Sequence, residues 1–147
     1  MLPETITKIK QFEDLLRQDP NSSVANASQE VGLGCEYEHE FTKGLYVRKM
    51  FLPKDRVFVT AVHLTEHPYF VMYGDVDVYV DGELKRIQGP FQGITKPGTQ
   101  RVLRVYEDTL WITVHVTDKT DVEEICKETV VSTYDEYTKL LEKQEVV

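Results

Sequence analysis

Residues 44–118 leave no room for a helix. They form a succession of short runs rich in β-branched and aromatic residues, each cut by turn chemistry before three helical turns are complete. The runs read as strands over residues 45–52, 56–64, 67–73, 76–80, 83–87, 91–95, 101–106 and 109–117. Between them stand Pro53-Lys54-Asp55, Gly89-Pro90, Lys96-Pro97-Gly98 and a turn expected at Glu107-Asp108. Asp81-Gly82 is a strong hairpin signal, because a two-residue turn there needs positive φ at both positions. Short strands at this spacing predict a mainly β domain, either a sandwich or a jelly-roll barrel.

The flanks read differently. Residues 4–18 place Ile6, Ile9, Phe12, Leu15 and Leu16 at helical spacing with charges between them. Such an amphipathic helix must dock its apolar stripe on something. Residues 18–28, QDPNSSVANAS, read as a connector, and Glu36-Tyr37-Glu38-His39-Glu40 is an acidic segment with no clear structural signal. Thr120-Asp121-Val122-Glu123 and Thr133-Tyr134-Asp135-Glu136 both fit the capping-box pattern. The first opens a short helix to Lys127, and the second a longer one through Leu140, Leu141 and Lys143. These helices are expected to cover the barrel or extend a subunit contact. The expected organisation is an N-terminal helix and connector (1–43), a barrel (44–118) and a helical tail (119–147).

Charge narrows the partners. The chain carries a net charge of -8, and its basic residues are scattered among more numerous acids. Nucleic acid and anionic membrane surfaces call for clustered Lys and Arg, so neither is the expected partner. No apolar run approaches the ~18 residues of a spanning helix, and MLPETITKIKQ lacks the apolar core of a secretory signal. The expected location is the cytoplasm. Cys35 and Cys126 form no CxxC pair and read as two reduced thiols. Cys35 and His39 lack the further nearby ligands of a four-ligand zinc site.

Chemistry concentrates in residues 57–82. Strand alternation puts His63 on one face with Ala61 and Val59; after a break at Glu66, His67 falls in step with Tyr69, Val71 and Tyr73. Two imidazoles on consecutive strands joined by a tight connection can converge on one point. His63 to His67 also matches the inverted zinc-peptidase motif, which needs both histidines on one helix. Pro68 and the flanking Val, Phe and Tyr forbid that helix. In the last long strand Trp111, Thr113 and His115 share one face, while Ile112, Val114 and Val116 share the other. Arg101, Leu103 and Val105 share a face of the strand after Pro97-Gly98.

Residues 45 to about 128 resemble a cupin, a small double-sheeted β-barrel with its site between the sheets. Gly74 fits the glycine of the family's first motif, with His67 at its glutamate position and His63 at its second histidine. Ala61 stands at the first histidine position and Arg101 at the histidine of the second motif, so the family's three-His-one-Glu metal site is absent. A narrower similarity is to small cupin-like proteins of tailed phages. It rests on His-x-x-Glu-His at 63–67, Pro-Gly-Thr-x-Arg at 97–101 and Glu-Asp-Thr-x-Trp-x-Thr-Val-His at 107–115.

The resemblance implies a jelly-roll barrel with N- and C-terminal helices, and a pocket. In that arrangement the His63 strand pairs with the His115 strand and His67 crosses from the facing sheet, giving a three-His centre. Such a centre suits Fe(II), Zn, Mn or Ni, with Glu66 the nearest carboxylate to fix a ring. The alternative is that the imidazoles only hydrogen-bond inside the barrel. Arg101 either clamps a carboxylate or phosphate of a small ligand or bridges internally to Glu66 or another acid. Tyr69, Tyr73 and Trp111 either line a cavity for a planar or sugar-like ligand or are plain core. Three roles compete: a metal enzyme acting on a small anion, or a metal-free epimerase with His63 as base and Tyr69 or Tyr73 as acid; a binder of a metabolite or nucleotide-like signal; and an assembly protein. The apolar outer faces (Phe70, Met72; Ile112, Val114, Val116) call for a cover, either the N-terminal helix or a second subunit in a homodimer.

Overall fold

The computed structural model describes residues 3–18, 22–24 and 35–145, so most of the expected connector lies outside the described residues. A helix, α1 (Pro3–Leu16), precedes the strands β1 (Ser22–Val24), β2 (Glu36–Thr42), β3 (Leu45–Leu52), β4 (Val57–Val59), β5 (Val62–His63), β6 (His67–Val80), β7 (Glu83–Gln88), β8 (Phe91–Thr95) and β9 (Val102–Val116). Helix α2 (Val122–Thr129), strand β10 (Val130–Val131) and helix α3 (Tyr134–Glu145) close the chain. The fold is a mainly β jelly roll, almost wholly antiparallel, with a helix before the barrel and two after it. No described helix is long and apolar enough to cross a membrane.

Two long strands form its spine. β6 and β9 run antiparallel from Tyr69 opposite Thr113 to Tyr79 opposite Val102. The other edge of β9 carries β4 and β3, and β3 in turn carries β2; the other edge of β6 carries β8 and β7. The acidic segment at 36–40 is therefore a strand, paired from Glu36 opposite Phe51 to Thr42 opposite Leu45. Its outward glutamates and inward Tyr37 and His39 give the alternation of a strand with one wet face. Asp81 and Gly82 take φ of 52° and 78° and turn β6 into β7, as the hairpin signal requires.

The strands expected at 67–73 and 76–80 are one, as are those at 101–106 and 109–117. Each is held extended by the other, and the Glu107-Asp108 turn is overridden by Asp75 pairing with Glu107. Their register slips between Val71 and Val76. Before the slip His67, Tyr69 and Val71 point inward; after it Val76 and Val78 do. The bulge thus restores an inward face that strict alternation would have lost. Conversely, the run at 56–64 is split into β4 and β5, because Thr60 leaves the ladder to exchange hydrogen bonds with Arg101.

The interior packs Met50, Leu52, Phe58, Val71, Val76, Val78, Leu103, Val105 and Trp111 in one cluster. Helix α1 turns Ile9 and Leu16 against Val59 and Val102, leaving Phe12 and Leu15 exposed. The stripe is rotated from the expected one because Glu13 is drawn inward to the Gln100 amide, which donates at 3.1 Å. This seat is not the aliphatic outer face of Phe70, Ile112 and Val114. Helix α2 is capped by Asp121, one residue later than expected, whose carboxylate accepts from the amides of Glu123 and Glu124. It buries Ile125, Cys126 and Thr129. Helix α3 starts as its sequence predicts, with Thr133 Oγ1 accepting from the Glu136 amide.

Candidate functional site

Register across five strands assembles one polar row on the inner face. His39 on β2 lies opposite Arg48 on β3, Arg48 opposite Thr113 on β9, Thr113 opposite Tyr69 on β6, and Tyr69 opposite Gly93 on β8. Two residues along, Tyr46 lies opposite His115, and His67 opposite Thr95. The rings form a chain: Tyr46 stacks on His115 at 5.7 Å, His115 meets His67 at 4.3 Å, and His67 meets His63 at 5.1 Å between centroids.

His63 arrives from a different place than the resemblance implies. Its strand β5 pairs with β10, with Val130 opposite His63, and not with β9. It is His67 that sits on a strand neighbouring that of His115. The Pro97-Gly98 turn fastens His63, whose carbonyl accepts from the Gly98 amide at 2.7 Å while its own amide donates to Thr99. The backbone of the second motif therefore positions a side chain of the first.

Each of the three imidazoles has a buried nitrogen with no hydrogen-bond partner: His63 Nδ1, His67 Nε2 and His115 Nδ1. Two of the rings are held by the other nitrogen. His67 Nδ1 lies 3.0 Å from the Thr65 carbonyl and donates to it, which leaves Nε2 as a bare lone pair. His115 Nε2 lies 2.9 Å from the Thr113 hydroxyl. Burial is the main reason the rings stay neutral, lowering His67 to about 4 and His115 to about 3. His63 is pushed well below its ordinary value by burial first and by Arg101 second.

Arg101 is 5% exposed, and burial lowers its pKa from the ordinary value. Its Nη2 donates to Thr95 Oγ1 at 3.0 Å, and its guanidinium lies 4.8 Å from the Tyr69 ring and 5.7 Å from the Trp111 ring. Those rings stack face to face at 4.8 Å. Gly93 makes room for this platform, since a Cβ there would stand 2.5 Å from the Tyr69 ring. Among the described residues Arg101 has no ion pair with a carboxylate. The one buried acid among them, Glu13, is bonded to Gln100.

The structure brings His63, His67, His115, Arg101, Tyr69, Trp111 and Thr113 together, and leaves two expected residues outside. Glu66 faces solvent and pairs with Lys96 at 2.6 Å, so it neither fixes a histidine nor bridges to Arg101. Tyr73 is 48% exposed, because the bulge after Val71 turns it outward. Sequence reasoning missed Arg48, Tyr46 and Thr95, and weighed His39 only as a partner for Cys35. The signal was there for two of them: Tyr46 and Arg48 share a strand face with Met50 and Leu52, but that face could be recognised as inward only once its pairing with β9 was known.

The donor set suits a divalent transition metal: three neutral imidazoles, each with a buried, unpartnered nitrogen, two of them steadied through the other nitrogen. The fit is one of chemistry and burial. As the side chains stand, no group of three or more His, Cys, Asp or Glu among the described residues is arranged to hold an ion.

No protein-family model matches the chain, and no curated protein matches it. Solved structures do. KdgF from Halomonas sp. aligns at 18% identity over 60% of this chain and 82% of that one, with a TM-score of 0.49. A cupin-2 domain containing protein from Shewanella frigidimarina aligns at 10% identity over 56% and 80%, with a TM-score of 0.47. A putative ethanolamine utilization protein, EutQ, from Salmonella typhimurium aligns at 12% identity over 56% and 69%, with a TM-score of 0.46. At these scores the likeness assigns no activity to this chain, and its chemistry rests on its own residues.

Proposed function

We propose that the barrel interior binds a small anionic molecule, with Arg101 holding the anion beside a centre in which His63, His67 and His115 take a divalent transition metal. The observation that carries this reading is the conjunction of three unpartnered buried imidazole nitrogens with a buried guanidinium that has no carboxylate partner among the described residues. An unpaired buried cation costs several kcal/mol unless something anionic joins it. A metal at this centre would supply Lewis-acid polarisation of the bound molecule. The protein's own groups do the rest. Arg101 orients the anion through its planar fork, the Tyr69–Trp111 stack walls off water, and Thr65 and Thr113 fix two of the rings. A metal-free reading, sequestration or sugar epimerisation, keeps the same anion clamp. In it His63 is the base and Tyr69 the acid, since of the two expected tyrosines Tyr73 faces out.

Elemental analysis of protein purified without added metal separates the two. About one equivalent of Fe, Zn, Mn or Ni is expected in the native protein, and less than a tenth of that in His67→Ala. Equal metal content in both proteins rules the centre out. Arg101→Ala is expected to weaken anion binding by about 2 kcal/mol or more, as loss of a charged hydrogen bond does. Unchanged affinity rules out the clamp.

A further inference from the structure

A second guanidinium stands on the inner-facing side of β3, in phase with Tyr46 and Met50, and nothing in the sequence motifs marks it. Arg48 lies beneath the Tyr37 and Tyr46 rings, 5.9 and 5.4 Å from their centroids. Its Nε donates to the Tyr46 hydroxyl at 2.9 Å and its Nη2 to the Cys126 sulfur at 3.1 Å. Those are neutral partners. Like Arg101, Arg48 forms no ion pair with a carboxylate among the described residues.

Its position relative to the histidines follows from the ring chain. Tyr46, bonded to Arg48, stacks on His115; His115 meets His67; His67 pairs in register with Thr95, to which Arg101 donates. The imidazoles thus belong to a chain of contacts that runs from Arg48 to Arg101. Arg101 is buried and Arg48 half-buried, and neither has a carboxylate partner among the described residues, which leaves both guanidinium groups open to an anion. A ligand with one anionic group at each end supplies a partner to both.

We propose that the ligand is a small dianion whose two anionic groups are separated along its length, one held by Arg101 and the other by Arg48, across the three-histidine group. This rests on the anion-binding reading above and adds the second charge to it.

Calorimetric titration tests it with probes that differ only in the second charge: butyrate against succinate and glutarate, and glycerol 3-phosphate against 3-phosphoglycerate. In the native protein the doubly ended probes are expected to bind at least tenfold more tightly than their singly ended counterparts. In Arg48→Gln that preference is expected to vanish while butyrate and glycerol 3-phosphate affinities stay within twofold. The ligand-free Arg48→Gln protein is expected to melt no lower than the native one, because a half-buried charge without an acid partner among the described residues has been removed; a purely structural Arg48 would instead lower the melting temperature. Binding of singly and doubly ended probes with equal affinity overturns the second-charge proposal and leaves the Arg101 clamp standing. No binding of any probe to the native protein overturns both.

Discussion

Acidifying the metal-free protein from pH 7 to pH 4 is expected to remove about 3 kcal/mol of stability through His67 and a similar amount through His115. Unfolded, each imidazole titrates near 6.5; folded, His67 titrates at about 4 and His115 at about 3. Between those values the unfolded chain binds protons that the native protein refuses, so stability falls as pH falls. The loss begins just below pH 6.5 and is complete only below the folded values. His63, pushed well below its ordinary value by burial, acts in the same direction over the same window. Asp75, held at about 2 by its hydrogen bonds from Arg86 and Gln88, gives up its contribution only below pH 4. Glu13 runs the other way: burial raises its pKa, so protonation in mild acid relieves a cost. The two histidine contributions are not independent, since His67 is among the causes that lower His115. Even so, their sum rivals the total stability of an ordinary domain, roughly 5–15 kcal/mol. Urea midpoints measured at half-unit steps on chelator-treated protein should drop steeply from pH 6.5 downward, and His67→Gln should flatten that slope. A midpoint that holds level from pH 7 to pH 5 would show that these rings are not buried as neutral imidazoles.

Much of this barrel is legible in residue order alone, and the part that is not has one cause. Turn chemistry and β-branched runs locate β3, β7 and β8, the Asp81-Gly82 hairpin and the capped starts of α2 and α3 to within a residue or two. Those signals are local. What is decided by pairing is not legible. The Glu107-Asp108 pair looks like a turn until β6 lies beside it. The acidic residues 36–40 look unstructured until β3 supplies a partner. The same limit governs the site. His67, His115 and Trp111 could be placed inward from alternation because each lies on an unbroken stretch of strand, and Arg101, one residue before β9, keeps the phase of Leu103 and Val105. Tyr73 could not, because the slip between it and Val71 reverses the phase without any change in residue type. Arg48 was invisible for a related reason: an arginine in a half-polar strand looks like a solvated one until its face is known to be shared with Tyr46 and Met50.

That slip makes the most severe single-residue prediction. Gly74→Ala is expected to cost about 4 kcal/mol or more, at the upper end of what one substitution does. Gly74 sits at φ +116°, inside the irregular stretch where β6 changes phase against β9. A Cβ there would stand 2.1 Å from Thr109 Oγ1 and 2.6 Å from Thr109 Cα. The second of these atoms is backbone, so no rotamer change relieves the clash, and one of the two spine strands must move. Gly44→Ala is the matched control. Its φ of +79° lies near the left-handed region and carries a penalty of about 1–2 kcal/mol, smaller than that at +116°, and the nearest atom to an added Cβ is 4.0 Å away. The difference between the two variants reports the packing of β6 on β9 together with the extra backbone strain at Gly74. If Gly74→Ala unfolds at a urea midpoint close to that of Gly44→Ala, the close approach of the strands at Thr109 is wrong. The phase reversal that carries His67 and Tyr69 inward at one end, and Val76 and Val78 inward at the other, would then need another origin. If instead the variant folds but with a large loss, the site should report it too. His67, Tyr69 and Val71 precede the slip on the same strand, so a shifted β6 moves His67 relative to His115, and anion affinity should fall along with stability in Gly74→Ala but not in Gly44→Ala.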